Sequence, residues 1–223
     1  MRAGRNRRGR LVAVEGALFG ELVEVLGRAL VEGRRRPLAR LAAREGVGAE
    51  EALAELSAFP AGACPAADPA VGLAVARCTA GRGCPVQGEC SLVAGDRHPA
   101  DSRTASLVRD LLGRWAAGRP ASPVDTVAGL LPPVRGLLER SGRAGPGAPP
   151  RARTSLALLE MAISRGGIAG ATGPFLLAGE AEQMAAHVPP GAGRGDPSLA
   201  PVEAWLRRVV SGEDALVELA GRR

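Results

Sequence analysis

The chain has 223 residues and a mass of 22.7 kDa, enough to bury one ordinary core or two small ones. Apolar residues make up 46% but aromatics only 2%, so the core must be built from Leu, Val and Ala, which favours helices over a β-sandwich. All 29 positive charges are Arg, and the lack of any Lys excludes phosphate-binding loops with a lysine and Schiff-base chemistry. The net charge of +6 and the pI near 10.6 bias the chain toward polyanions, because arginine clusters release counterions from nucleic acid or an anionic surface. No stretch approaches the roughly 20 apolar residues that span a bilayer. Glu residues interrupt LVAVEGALFGELVEV, which argues against a signal-peptide core, so the expected location is cytoplasmic, without a membrane.

Residues 1–10 carry Arg2, Arg5, Arg7, Arg8 and Arg10 with Gly and Asn and are expected to form a basic, disordered arm that touches phosphates. Residues 11–62 read as helical. Leu11, Val14, Leu18, Leu22, Val25, Leu26 and Ala29 recur at helical spacing, although LVAV could instead be a short strand. After Arg34, Arg35, Arg36 and Pro37, the segments 38–45 and 49–59 read as two short helices about the corner Gly46-Val47-Gly48. Residues 63–100 form a cysteine-rich loop. Residues 101–144 return to helical period, with Leu107, Val108, Leu111, Leu112 and Trp115 on one face and Asp101 or Ser102 available as N-cap. A further short helix over 124–131 is expected to stop at Pro132-Pro133 and resume to Arg140. Residues 145–153 look like a linker, and 154–223 like a C-terminal helical region, with helices over 154–164, 198–210 and 213–220 around two Gly-rich loops. The expected fold class is mainly α: a helix-turn-helix-like N-terminal part, a cysteine-rich loop and a small helical C-terminal part.

All four cysteines fall within 27 residues: Cys64, then Cys78, Cys84 and Cys90 at C-x5-C-x5-C spacing in RCTAGRGCPVQGEC. In a reducing compartment such a group points to a metal or cluster more than to two disulfides. The x5 intervals are longer than those of zinc knuckles, and Pro85 directly after Cys84 is a habit of iron-sulfur loops. Arg77, Arg82 and the nearby glycines suit a polyanionic centre. The expected cofactor is an iron-sulfur cluster, with zinc as the alternative. The candidate fourth ligand is Cys64, and His98 is also within reach of the loop.

The three-cysteine string, followed by the helix LVRDLLGRW, resembles the cluster-binding loop of the iron-sulfur-sensing winged-helix repressors of the IscR and NsrR type. The resemblance covers roughly residues 37–131. It implies an N-terminal helix-turn-helix that binds DNA and a cluster, held by Cys78, Cys84 and Cys90, whose state sets DNA affinity. The substring CPVQGEC is also similar to the CPVRxEC of WhiB-like actinobacterial proteins, whose CxxC pair is absent here.

In residues 38–56, Ala42 and Gly46 occupy small-residue positions where two helices can cross, and Leu38, Leu41, Val47, Leu53 and Leu56 would fill the space between them. The would-be recognition helix reads AEEALAELS, acidic and without the side chains that read base edges. An ordinary antiparallel helix pair is the competing reading. Arg5, Arg7, Arg8, Arg10, Arg34, Arg35 and Arg36 are the candidate phosphate contacts.

GRLVAVEG at 9–16 and GDRH at 95–98 resemble the opening strand and the DR(Y/H) motif of thymidylate kinases, but ALFGELVEV follows where the phosphate loop would need GK. AGATGPFLLAG, 169–179, resembles a short segment of trimethylamine methyltransferase barrels and reads as a loop between helices. With His98 and His187 the only histidines, no nucleophile and base pair emerges, and the chain is not read as an enzyme. The leading expectation is an iron-sulfur DNA-binding transcriptional regulator that senses redox or iron status. The alternatives are a structural zinc or protein-interaction module and a degenerate kinase-like protein. A homodimer is left open as the assembly.

Overall fold

A computed structural model describes residues 9–31, 33–57, 103–142, 150–164, 168 and 171–219. Among them the chain is mainly α, with eight α-helices and one three-stranded sheet. It divides into two compact units: one made of residues 14–118 with 165–173, the other of 1–13, 119–164 and 174–223.

In the first unit, α1 (Gly16–Val31) buries Phe19, Leu22, Val25, Leu26 and Ala29 at three- and four-residue spacing and packs on α2 (Arg36–Arg44). Pro37 sits in the first turn of α2, where its missing N–H is no loss. The helix ends because Gly46 adopts φ +64°, open to glycine at little cost. Gly46 N–H then donates to Ala43 O and Val47 N–H to Ala42 O, satisfying two of the last carbonyls. After this corner, α3 (Glu50–Ser57) buries Ala52 and Leu56 and packs on α4 (Arg103–Trp115). The inward face of α4 is the stripe Leu107, Val108, Leu111, Leu112 and Trp115 expected from the spacing.

In the second unit the core gathers Leu11 and Ala13 with Val134, Leu137, Leu159, Met184, Trp205, Val209 and Leu216, among others. A 3-10 turn (Ala128–Leu130) leads into α5 (Leu131–Arg140), followed by α6 (Pro150–Ser164), α7 (Ala178–Ala186) and α8 (Ala200–Ser211). The sheet has the order β1-β3-β2, from β1 (Arg10–Glu15), β2 (Thr172–Leu176) and β3 (Asp214–Leu219). β3 is the central strand, and its first four residues are buried, as expected when helices cover a strand. Gly9 abuts Leu219 O and Glu218, which puts the start of β1 beside the end of β3 and sets that pair antiparallel.

Several sequence expectations change. Residues 10–15 are a strand, the minor option for LVAV, and Arg10 belongs to it rather than to an arm. The expected helix over 213–220 is β3, and the expected loop around 172–176 is β2. Both are strands of only five or six residues, too short for periodicity to separate strand from helix. Pro132 and Pro133 do not stop a helix; they lie in the first turn of α5 and start one. α6 begins at Pro150, within the residues expected to be linker. The antiparallel β1-β3 pair also departs from the parallel sheet that a kinase-like fold requires.

Candidate functional site

Cys64, Cys78, Cys84, Cys90 and His98 lie outside the described residues, as do Arg5, Arg7 and Arg8. The described residues include the two helices that flank the cysteine segment in the sequence. α3 ends at Ser57 and α4 begins at Arg103, on either side of that segment. The Glu55 carboxylate of α3 accepts the Thr104 backbone N–H at 2.7 Å and the Thr104 hydroxyl at 2.5 Å, and Glu51 pairs with Arg103. The first N–H groups of a helix lack intrahelical partners, so Glu55 acts as a cap supplied from another helix, and its negative charge suits the positive end of α4. The C-terminal part of α3 and the first turn of α4 are therefore fixed side by side.

Three arginines precede α2, and the structure separates them. Arg34 is exposed. Arg35 is half-buried and its Nη2 donates to Leu56 O at 2.9 Å, closing the C-terminal end of α3, so part of its donor set is committed to structure rather than to phosphates. Arg36 is exposed, and Arg40, one helical turn later, is exposed beside it on the same face of α2. Arg10 is the exposed first residue of β1. On α3, Glu50 and Ala54 remain exposed, while Glu51 and Glu55 are taken up by α4.

The C-terminal end of α2 is held as firmly as its start. Arg44 bridges Glu21 of α1 at 2.7 Å and its neighbour Glu45 at 3.1 Å, and Arg114 of α4 donates to Gly46 O at 3.1 Å. The Trp115 indole donates to Glu45 at 2.9 Å; this bond, joined by Arg44, holds the Glu45 carboxyl below its ordinary range against the opposing effect of burial.

The second unit contains polar features that sequence reasoning missed. Glu203 on α8 is 8% exposed and accepts the N–H groups of Gly191 at 2.6 Å and Gly193 at 2.7 Å, while Arg207 Nε and Nη2 approach its Oε1 at 3.1 and 3.0 Å. Burial raises its carboxyl, but the two backbone donors and Arg207 outweigh it, so the net displacement is downward. Asp214, buried at the start of β3, pairs with Arg119 at 3.2 Å. Glu218 is pushed upward by burial, partly offset by the Val127 N–H it accepts at 3.0 Å. A cleft of about 400 Å³ lies at the end of α5, against the loop that Glu203 holds. The only sequence signal for this arrangement was the Gly/Pro string VPPGAGRGDP, which reads as a loop and gives no hint of its buried carboxylate partner.

Among the described residues no group of three His, Cys, Asp or Glu side chains could hold a metal, and no helix is long and apolar enough to cross a membrane. Comparison with family models, with curated proteins and with solved structures finds no match to this chain.

Proposed function

We propose that this chain is a regulatory protein that holds an iron-sulfur cluster on Cys78, Cys84 and Cys90, with Cys64 or His98 as the fourth ligand, and that binds nucleic acid through its arginines. The observation that carries the proposal is the concentration of four thiols in 27 residues, between two helices that Glu55 and Thr104 tie together. The donor chemistry fits such a group: thiolates are the ligands of iron-sulfur centres and of zinc, and a loop closed at its base loses less conformational entropy when its sulfurs converge. The cluster would supply redox or iron sensitivity.

The chain's own contribution is mechanical. α3 and α4 flank the segment in sequence, and both are bonded to α2 through Arg35 and Arg114, so a change in how α3 and α4 pack would reach Arg36 and Arg40. Contacts from Arg36, Arg40 and the basic residues 2–10 would go to phosphates and would not read sequence.

One observation favours a second reading, a structural zinc or interaction module. α3 carries three carboxylates and two of them, Glu51 and Glu55, serve α4, so the helix lacks the side chains that read bases.

Anaerobic purification of the full chain with iron, sulfide and zinc analysis separates the two, with Cys84→Ser as the control. Sulfide-bridged iron with broad visible absorbance that is lost in the variant is the expected result. Zinc alone would move the protein to the module reading, and neither metal would overturn both. A duplex-binding isotherm on cluster-loaded and cluster-free protein then tests regulation; equal affinities would remove the sensor.

A further inference from the structure

The geometry points to the cleft at the end of α5 as a binding site for a small phosphate monoester. This inference concerns the second unit and does not rest on the cysteine segment.

The cleft, about 400 Å³, is bordered by Arg140 and Ser141 at the end of α5 and by Pro189, Pro190, Gly191 and Arg194 of the loop before α8. That volume falls within the range of small-ligand sites. The loop is held in one shape by three independent constraints. Glu203, buried beneath it, takes the N–H groups of Gly191 and Gly193. Gly191 has φ +76°, a conformation that side chains disfavour. At Gly193 an added Cβ would stand 2.9 Å from the Ala200 backbone, so the loop sits directly on α8.

The result of this construction is the placement of two guanidinium groups. Arg140 Nη2 donates to Arg194 O at 2.9 Å, which fixes Arg140 against the loop while most of its five donors stay available. Arg194 is exposed and its guanidinium has no hydrogen-bond or ion-pair partner among the described residues.

Two carboxylates are near, and both are engaged. Asp196 stands 3.6 Å from Arg140 Nη1, beyond hydrogen-bond length, and accepts the Ser198 hydroxyl at 2.6 Å and N–H at 2.9 Å. Glu203 is matched by Arg207. Among the described residues Asp196 offsets Arg140, and no carboxylate pairs with Arg194. Guanidinium forks match the geometry of phosphate oxygens, and two of them flanking one cleft suit a compact dianion better than a single carboxylate. The rings of Pro189 and Pro190 offer an apolar wall for the carbon body of the ligand, which is why a monoester rather than bare phosphate is the assigned class.

The test uses the full chain in chloride buffer, with glycerol 3-phosphate, inorganic phosphate and glycerol as probes. Calorimetry measures affinity, and the arginine Nε–H signals in NMR spectra locate the site. The expected result is saturable one-to-one binding of glycerol 3-phosphate, tighter than inorganic phosphate and absent for glycerol, with the Arg140 and Arg194 signals shifting together. Arg194→Ala, an exposed change that leaves the fold intact, should weaken binding at least tenfold. Arg135→Ala, an exposed arginine on the same helix α5, should leave it unchanged. Glu203→Gln, which retains both guanidinium groups but loosens the loop, should weaken binding by an intermediate factor. Three outcomes overturn the assignment: no saturable binding, unchanged affinity in Arg194→Ala, or equal losses in Arg194→Ala and Arg135→Ala, which would mean diffuse attraction to a basic protein.

Discussion

Replacing Glu203 by Ala should be among the costliest single changes in the second unit. The carboxylate receives two short backbone bonds, 2.6 Å from Gly191 and 2.7 Å from Gly193, and hydrogen bonds to a charged group contribute about 1.5–3 kcal/mol each. Removing it also strands the Gly193 N–H, which is buried against α8, at about 1–3 kcal/mol. The pairing with Arg207 adds little, since that arginine is 46% exposed and such pairs are worth about 0–1 kcal/mol. These contributions overlap, and water can reach the half-buried Gly191, so the expected cost is about 3 kcal/mol. At about 2–4 °C per kcal/mol for a chain of this length, the thermal midpoint should fall by roughly 6–12 °C.

The pH dependence gives a second check. Because the folded-state carboxyl lies below its ordinary value, the stabilisation is fully present above the unfolded pKa, about 4.3, and is lost as pH falls through the folded one. The gap between wild type and Glu203→Ala should therefore be constant between pH 6 and 8, at about the value above, and shrink in acid. Calorimetric melts, read beside the fluorescence of Trp205 on the same helix, would measure it. A gap under about 1 kcal/mol at pH 7, or one that widens toward acid, would refute the account of the loop.

Trp115→Phe keeps most of the buried ring but loses the bond to Glu45, so it should cost about 1 kcal/mol in urea unfolding and raise the Glu45 carboxyl in an NMR titration. An unmoved Glu45 would mean that Arg44 alone sets it. Two glycine substitutions should have opposite signs. Gly113→Ala, inside α4 with nothing within 4 Å of the new Cβ, should stabilise by about 0.5–1 kcal/mol, whereas Gly193→Ala should cost about 1–3 kcal/mol because its Cβ meets Ala200 backbone at 2.9 Å. Equal urea midpoints for the two variants would contradict the packing described for α8.

What the sequence made legible was what repeats along one helix. The stripes of α4 and α8 were readable because each buries a broad apolar face. On α1 the spacing selected Leu22, Val25, Leu26 and Ala29 correctly but took Leu18 for the buried Phe19 and ran on through Leu11 and Val14 of β1. α7 was not read as a helix: only Ala181 and Met184 are buried on it, too little to leave a stripe. The strands escaped for a different reason. In β3 the run Ala215, Leu216, Val217 is buried on both faces, so it shows neither alternation nor helical period. Long-range partners leave no local trace at all. Nothing near Glu203 in sequence indicates that it serves Gly191 and Gly193, and nothing near Arg35 points to Leu56, 21 residues away.

The acidic character of α3 was the strongest sequence argument against a helix-turn-helix that reads bases, and the contacts give it a physical cause. Glu55 caps α4 and Glu51 pairs with Arg103, so these carboxylates tie α3 to α4. A helix committed in this way cannot also present those positions to a negatively charged groove, whose phosphates would repel them. α2 is free of that conflict. It carries Arg36 and Arg40 exposed on one face, yet its start is bonded to the end of α3 through Arg35 and its end to α4 through Arg114 and the Trp115–Glu45 bond. If nucleic acid is the partner, α2 is the helix that meets it, along the backbone and with a salt-dependent affinity that sequence changes in the duplex hardly alter. α2 is bonded to α3 and α4, the helices that flank the cysteines in sequence, and in the proposed function this shared bonding is the route from the cysteines to Arg36 and Arg40.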